Sequence, residues 1–217
     1  MRGIAFIGGE GPGRRFLREI ARGADLLVAA DSGLALCEDA GLKPDWILGD
    51  MDSLDDPRRL EKYPADRILR FPADKDLTDT ELALQFLAEK GCCERWLAGG
   101  GGGRLDHLFA IRSIFDRDSP PDRWFPGKED IRCLNEGAIL GASLPPGSVV
   151  SVFPLGSGPW KAESTGLKWP INDLAWERGS AWISNIAAEG PFEIRAVRGR
   201  LMILTPMLFG QDAKEKQ

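Results

Sequence analysis

A chain of 217 residues with an apolar fraction of 43% can form one large domain or two small ones with a normal core. Its net charge of -5, with both signs scattered, excludes a nucleic-acid partner bound by phosphate neutralisation, which needs a basic face. No stretch approaches the roughly 18 consecutive apolar residues of a membrane span, and the apolar run in residues 1–10 is too short for a signal peptide, so no membrane partner is expected.

Residues 4–7 form a short β-type run closed by Gly8-Gly9-Glu10-Gly11-Pro12-Gly13, and residues 14–22 read as a helix with Phe16, Leu17 and Ile20 on one side. A second strand, 26–30, ends at Asp31-Ser32-Gly33 and leads into a helix over 34–40 stopped by Gly41. Strands follow at 46–48 and 67–71. Thr78-Asp79-Thr80-Glu81 is a capping box that opens a helix to Lys90, with Gly91 as its stop. A fifth strand, 95–98, runs into the five glycines Gly99 to Gly103, and residues 105–115 form the next helix. Strands alternating with helices predict a mostly parallel sheet covered on both faces, with ligands beyond the carboxyl ends of its strands.

After Ser119-Pro120-Pro121 the texture changes to short β-like runs at 131–134, 149–153, 160–163, 181–184, 192–197 and 201–204, punctuated by Gly and Pro. This predicts a small antiparallel sandwich or barrel. The expected organisation is an α/β domain over 1–140, an all-β domain over 141–210 and a polar tail over 211–217. Cys37, Cys92, Cys93 and Cys133 match no zinc spacing, and an adjacent pair is a poor disulfide, so reduced thiols in a cytoplasmic protein are expected.

The acids at strand ends carry the chemical signal. In an extended strand Asp50 and Asp52 of Gly49-Asp50-Met51-Asp52-Ser53 would share a face. Two carboxylates about 4 Å apart at an effective dielectric near 20 repel by roughly 4 kcal/mol, a cost that a cation between them removes. A second run, Asp74-Lys75-Asp76-Leu77-Thr78-Asp79, adds three more acids and one base. Hard oxygen ligands suit Mg²⁺ with substrate phosphates; each run alone also suits a solvated turn.

Other motifs divide more evenly. Gly8, four residues, then Gly13 imitates a phosphate loop, but Arg14-Arg15 stands where that loop needs Lys-Ser/Thr, so the segment reads as a plain turn. The Gly99–Gly103 run, followed by Arg104 at a helix start, can line an anion-binding concavity. His107, the only histidine, and Asp31 each suit either a cap or the cleft. In the second half Trp169 could stack on a flat ring, with Ser184 or Asn185 bonding its edge, or belong to the sandwich core.

The motifs Asp31-Ser32-Gly33, Gly49 to Ser53, Asp74 to Asp79, Gly103-Arg104-Leu105-Asp106-His107, Gly166-Leu167-Lys168-Trp169-Pro170 and Ser184-Asn185, in this order, resemble the thiamine pyrophosphokinase family across nearly the whole chain. The resemblance implies transfer of the pyrophosphoryl group of ATP to thiamine, with AMP released and Mg²⁺ required. It implies metal and catalytic roles for Asp50, Asp52, Asp76 and Asp79, joined in catalysis by Asp106. Nucleotide contacts would come from Asp31, Gly33, Lys75, Thr78, Gly102, Gly103, Arg104 and His107. Thiamine contacts would come from Trp169, Ser184 and Asn185. It implies a homodimer whose composite active sites take the β-domain of one copy to the acceptor pocket of the other. An aspartate near the thiamine hydroxyl is expected to accept its proton, Asp79 or Asp106. Departures are Ser32 where the family has Gly, Met51 where it often has Phe, and Ala187-Ala188-Glu189-Gly190 in place of an acidic continuation. The competing readings are a pyrophosphokinase for another hydroxymethyl heterocycle, such as a pterin, and a non-catalytic nucleotide- or thiamine-binding paralogue.

Overall fold

The computed structural model describes residues 1–72, 74 and 76–208. The chain forms two compact units, the first spanning Met1–Lys128 and the second beginning at Glu129.

The first unit is built on the strands β1 (Arg2–Phe6), β2 (Leu26–Ala30), β3 (Trp46–Gly49), β4 (Ile68–Arg70), β5 (Glu94–Ala98) and β6 (Arg123–Phe125). They lie in the order β6-β5-β1-β2-β3-β4, all parallel. The helices between them are α1 (Arg14–Ala21), α2 (Gly33–Asp39), α3 (Asp79–Glu89) and α4 (Leu105–Ile114). Each buries one apolar stripe, such as Phe16, Leu17 and Ile20 in α1, or Ala83, Leu84, Phe86 and Leu87 in α3. Right-handed crossovers put α1 and α2 on one face and α3 and α4 on the other, because the strand order reverses beside β1. Neighbouring side chains of β6 record the two faces. Phe125 meets Phe16 of α1 at 5.1 Å, whereas Trp124 meets Phe115 at the end of α4.

The capping box forms as expected: Thr78 N–H donates to Glu81 Oε2 at 2.8 Å and Glu81 N–H to Thr78 Oγ1 at 3.3 Å. Between β3 and β4 the chain makes two short 3-10 turns, Pro57–Lys62 and Ala65–Arg67, which carry no apolar periodicity. Strand β6 likewise has no signal in the local sequence. Its three residues stand between Pro-rich turns, and only pairing with β5 makes them a strand.

The second unit contains β7 (Glu129–Leu134), β8 (Ile139–Ser143), β9 (Val149–Leu155), β10 (Lys161–Thr165), β11 (Trp182–Ile186), β12 (Pro191–Arg198) and β13 (Arg200–Pro206). All pairings inside it are antiparallel: β11-β9-β13-β7 in one sheet and β10-β12-β8 in the other. Period-2 alternation turns Phe192, Ile194 and Ala196 of β12 inward with Val150, Val152, Leu201 and Ile203 from the facing sheet. The unit begins before the expected change near residue 140, because β7 pairs with β13, far away in sequence. Strand β8 lacks a clear period-2 signal because Gly141 and Ala142 blur the alternation.

All four cysteines are free thiols; Cys37 is buried, which pushes its pKa up to about 12. No helix among the described residues is long and apolar enough to cross a membrane.

Candidate active site

The strand order reverses beside β1, and crevices at such switch points hold ligands in α/β sheets. Here a cleft of about 530 Å³ opens at the carboxyl ends of the strands. Its floor is Asp31, Asp50 and Asp79; one wall is Gly100 to Gly103 with Arg104 and His107; Ile7, Ile111 and Ile114 supply an apolar side.

Asp31, Asp50 and Asp79 present carboxylate oxygens within 4.8 Å of one another. Asp31 leaves β2 in the left-handed region at φ 48°, pinned by its N–H donating to the Leu48 carbonyl at 2.9 Å. Asp50 follows the end of β3, and Asp79 is the first residue of α3, where a negative charge also suits the positive end of the helix. Gly49 makes the approach feasible. It sits at φ 139°, and a Cβ there would stand 3.2 Å from Asp31 Cβ and 3.3 Å from Asp79 Oδ1. Burial raises the Asp31 pKa; a hydrogen bond from Ser53 opposes this, while the charges of Asp79, Asp50 and Asp52 add to it. Asp31 Oδ1 is buried without a hydrogen-bond partner. A buried, partnerless acceptor on one member of a close carboxylate trio fits a hard divalent cation, which takes oxygen ligands and offsets their mutual repulsion.

The expectation that Asp50 and Asp52 share a face through strand geometry is corrected. Strand β3 stops at Gly49, and Met51 takes a left-handed conformation at φ 69°, so the alternation breaks between them. Asp52 is exposed; its N–H donates to Asp50 Oδ1 at 3.2 Å, and its own Oδ1 accepts from Ser53 Oγ at 3.0 Å. Asp76 and Thr78 line the cleft from exposed positions. Asp76 and Asp52 both stand outside the close trio. Lys75 lies outside the described residues, as does the 211–217 tail.

The glycine wall is less open to anions than five consecutive glycines suggested. The N–H groups of Gly99, Gly100 and Gly101 already donate to the carbonyls of Phe125, Gly8 and Glu10, at 3.0, 2.9 and 2.8 Å. Among the described residues, Gly102 and Gly103 N–H meet no protein acceptor. The loop read as a plain turn therefore joins the site: Gly8 and Gly9 line the cleft, and the carbonyls of Gly8 and Glu10 accept from Gly100 and Gly101. Trp124 fixes the same wall by donating its indole N–H to the Gly99 carbonyl at 2.7 Å. Arg104 is exposed at the mouth and forks onto Asp106, at 3.1 and 2.5 Å. That guanidinium holds the Asp106 carboxyl below its ordinary value. Asp106 is not among the cleft-lining residues, whereas His107 is. Gly33 packs elsewhere: a Cβ on it would stand 2.1 Å from the Phe6 carbonyl oxygen, so its smallness serves the close packing of α2 on β1.

Comparison with known proteins follows the same division. Residues 17–117 match the family model described as thiamin pyrophosphokinase, catalytic domain, and residues 139–201 match the thiamin pyrophosphokinase vitamin B1 binding domain. The chain belongs to the thiamin pyrophosphokinase family. It is 30% identical over 186 residues to a thiamine pyrophosphokinase of Bacillus subtilis, covering 77% of this chain and 81% of that one. Its structure is similar to that of a thiamin pyrophosphokinase from Geobacillus thermodenitrificans, with a TM-score of 0.74, 26% identity, and coverage of 97% and 99%. The fold is shared with a Candida albicans thiamin pyrophosphokinase at a TM-score of 0.71 and 16% identity, covering 95% and 90%.

Within the B1-binding region, Trp169 is 51% exposed, so it does not belong to the sandwich core. Its ring carries the Lys168 ammonium 4.5 Å from the centroid. Asn185 is buried and its amide is spent on the backbone: Oδ1 accepts from Trp169 N–H at 3.2 Å, and Nδ2 donates to the Trp169 carbonyl at 2.6 Å. Asn185 thus orients Trp169. Ser184 is exposed in a left-handed conformation at φ 61°, its N–H donating to Ser151 Oγ at 3.3 Å.

Proposed function

We propose that this chain transfers the pyrophosphoryl group of ATP to the hydroxyl of thiamine, forming thiamine diphosphate and AMP with Mg²⁺ as the required ion. The observation that carries the reading is the trio Asp31, Asp50 and Asp79, with a buried, partnerless Asp31 oxygen, at the floor of a glycine-walled cleft. These three would hold the ion, with Asp76 and Asp52 as rim carboxylates. An ion bound there supplies charge neutralisation to the triphosphate, which phosphoryl-type transfer needs more than covalent help.

The chain's own groups do the rest. Gly102 and Gly103 N–H and the Arg104 guanidinium meet phosphate oxygens, with Thr78 and His107 flanking them. The apolar side of the cleft excludes water around the nucleotide. The thiamine oxygen forms its bond to the β-phosphorus while the bond from that phosphorus to the AMP oxygen breaks. The hydroxyl proton passes to an aspartate. That aspartate is Asp79, at the cleft floor, or Asp106, which Arg104 would release on moving onto phosphate.

Trp169 offers an exposed face for an aromatic ring, held in place by Asn185, and the neighbouring exposed Ser184 would bond the ring's edge. The exposed Trp182 and Ile183 of the same unit support a homodimer in which this surface completes the partner's acceptor pocket. The free thiols support a cytoplasmic location.

The test is AMP release by the purified chain with ATP and Mg²⁺, across thiamine and hydroxymethyl-pterin acceptors. Thiamine-dependent release, abolished by Asp50→Asn and by chelation, is expected. Release that follows the pterin, or none with either acceptor, overturns the reading.

A further inference from the structure

The capping box does more than start a helix. Glu81 Oε2 accepts from both Thr78 N–H and Thr78 Oγ1, at 2.8 and 2.7 Å. Its other oxygen, Oε1, receives the Arg117 guanidinium, although the Glu81 side chain is only 9% exposed. Capping alone uses one carboxylate oxygen at an exposed helix end; neither the burial nor the second partner follows from it. Arg117 lies just past α4, its N–H on the Ile114 carbonyl at 3.2 Å. One carboxylate therefore joins the start of α3, which carries Asp79 into the acidic trio, to the end of α4, whose His107, Ile111 and Ile114 form part of the opposite wall. Helix ends fray, and three carboxylates crowded within 4.8 Å repel, so an untethered first turn would swing Asp79 away from Asp31 and Asp50.

We propose that Glu81 is a positioning residue: through Thr78 and Arg117 it sets the distance of Asp79 from Asp31 and Asp50, and with it the affinity of the cleft for a divalent ion. The inference rests on the reading of that trio as an ion site, and the experiment separates the two. Mn²⁺ binding to the full chain, without nucleotide, is followed by electron paramagnetic resonance of the free ion for wild type, Asp79→Asn, Glu81→Gln, Arg117→Met and the double variant Glu81→Gln/Arg117→Met. Asp79→Asn should abolish binding. Glu81→Gln and Arg117→Met should each weaken it by about 5- to 20-fold, and the double variant no further than the worse single one, since both remove one link. Arg117→Met leaves the capping box intact and keeps the test valid if Glu81→Gln unfolds. A merely structural Glu81 lowers the thermal midpoint while folded variants keep wild-type Mn²⁺ affinity; that result overturns the inference alone. Wild-type binding by Asp79→Asn overturns the ion site and the inference together.

Discussion

Replacing Asp31 by Asn should make the ion-free protein more stable and the ion-loaded protein less so. Asp31 is 7% exposed, and its oxygen lies within 4.8 Å of those of Asp50 and Asp79. At an effective dielectric near 20, a pair at that distance repels by about 3.5 kcal/mol; solvent around the two half-exposed partners screens this to about 1–3 kcal/mol in total. Asn is nearly isosteric and removes that charge. The Asp31 pKa is raised above its ordinary 3.8, so the folded state binds more protons than the unfolded one. Its unfavourable contribution is therefore absent at pH below 3.8 and develops as pH rises through the folded value, which makes ion-free wild type lose stability over that window. The variant should lack this loss and unfold at a higher temperature at pH 7, by about 2–4 °C per kcal/mol. Saturating Mg²⁺ at one hundred times its dissociation constant should stabilise wild type by about 2.7 kcal/mol, and the variant much less. Thermal unfolding by circular dichroism at pH 4 and 7, with EDTA or Mg²⁺, reads all four states. An Asn variant that is less stable than wild type in EDTA, yet keeps the full Mg²⁺ shift, would refute the electrostatic account of this cluster.

Gly49→Ala should cost about 1–3 kcal/mol from its left-handed backbone alone, and should remove thiamine diphosphate formation because the new Cβ presses on Asp31 and Asp79; chemical denaturation and the AMP assay check the two parts. Asn185→Ala leaves the Trp169 N–H and C=O without their partner, at about 1–3 kcal/mol, and should raise KM for thiamine while that for ATP stays put, as measured by steady-state kinetics. If the acceptor pocket is shared between copies, mixing inactive Asp50→Asn and Trp169→Ala proteins and allowing subunits to exchange should restore about a quarter of wild-type activity. No recovery in mixed dimers shown to form by mass spectrometry would place both halves of the site in one copy.

The sequence by itself determined the layers and most of the elements. Strand runs of the first unit, the apolar stripes of α1 and α3, and the Thr78/Glu81 cap are local signals, each readable within a dozen residues. So was the placement of acids and glycines at strand ends. What stayed hidden depended on partners far along the chain. Strands β6 and β8 exist because β5 and β12 pair with them, and the second unit starts at β7 because β13 lies beside it.

Only the tertiary structure decided which acids meet. Spacing placed Asp52 with Asp50, but a left-handed Met51 turns the chain between them, and the third member of the trio is Asp31, some twenty residues earlier in the sequence. The same holds for the glycine wall, where backbone bonds to Gly8, Glu10 and Phe125 consume three of the five amides. Residue type announces what a group can do. Register, backbone hand and the neighbours brought in by the sheet determine whether it is free to do it.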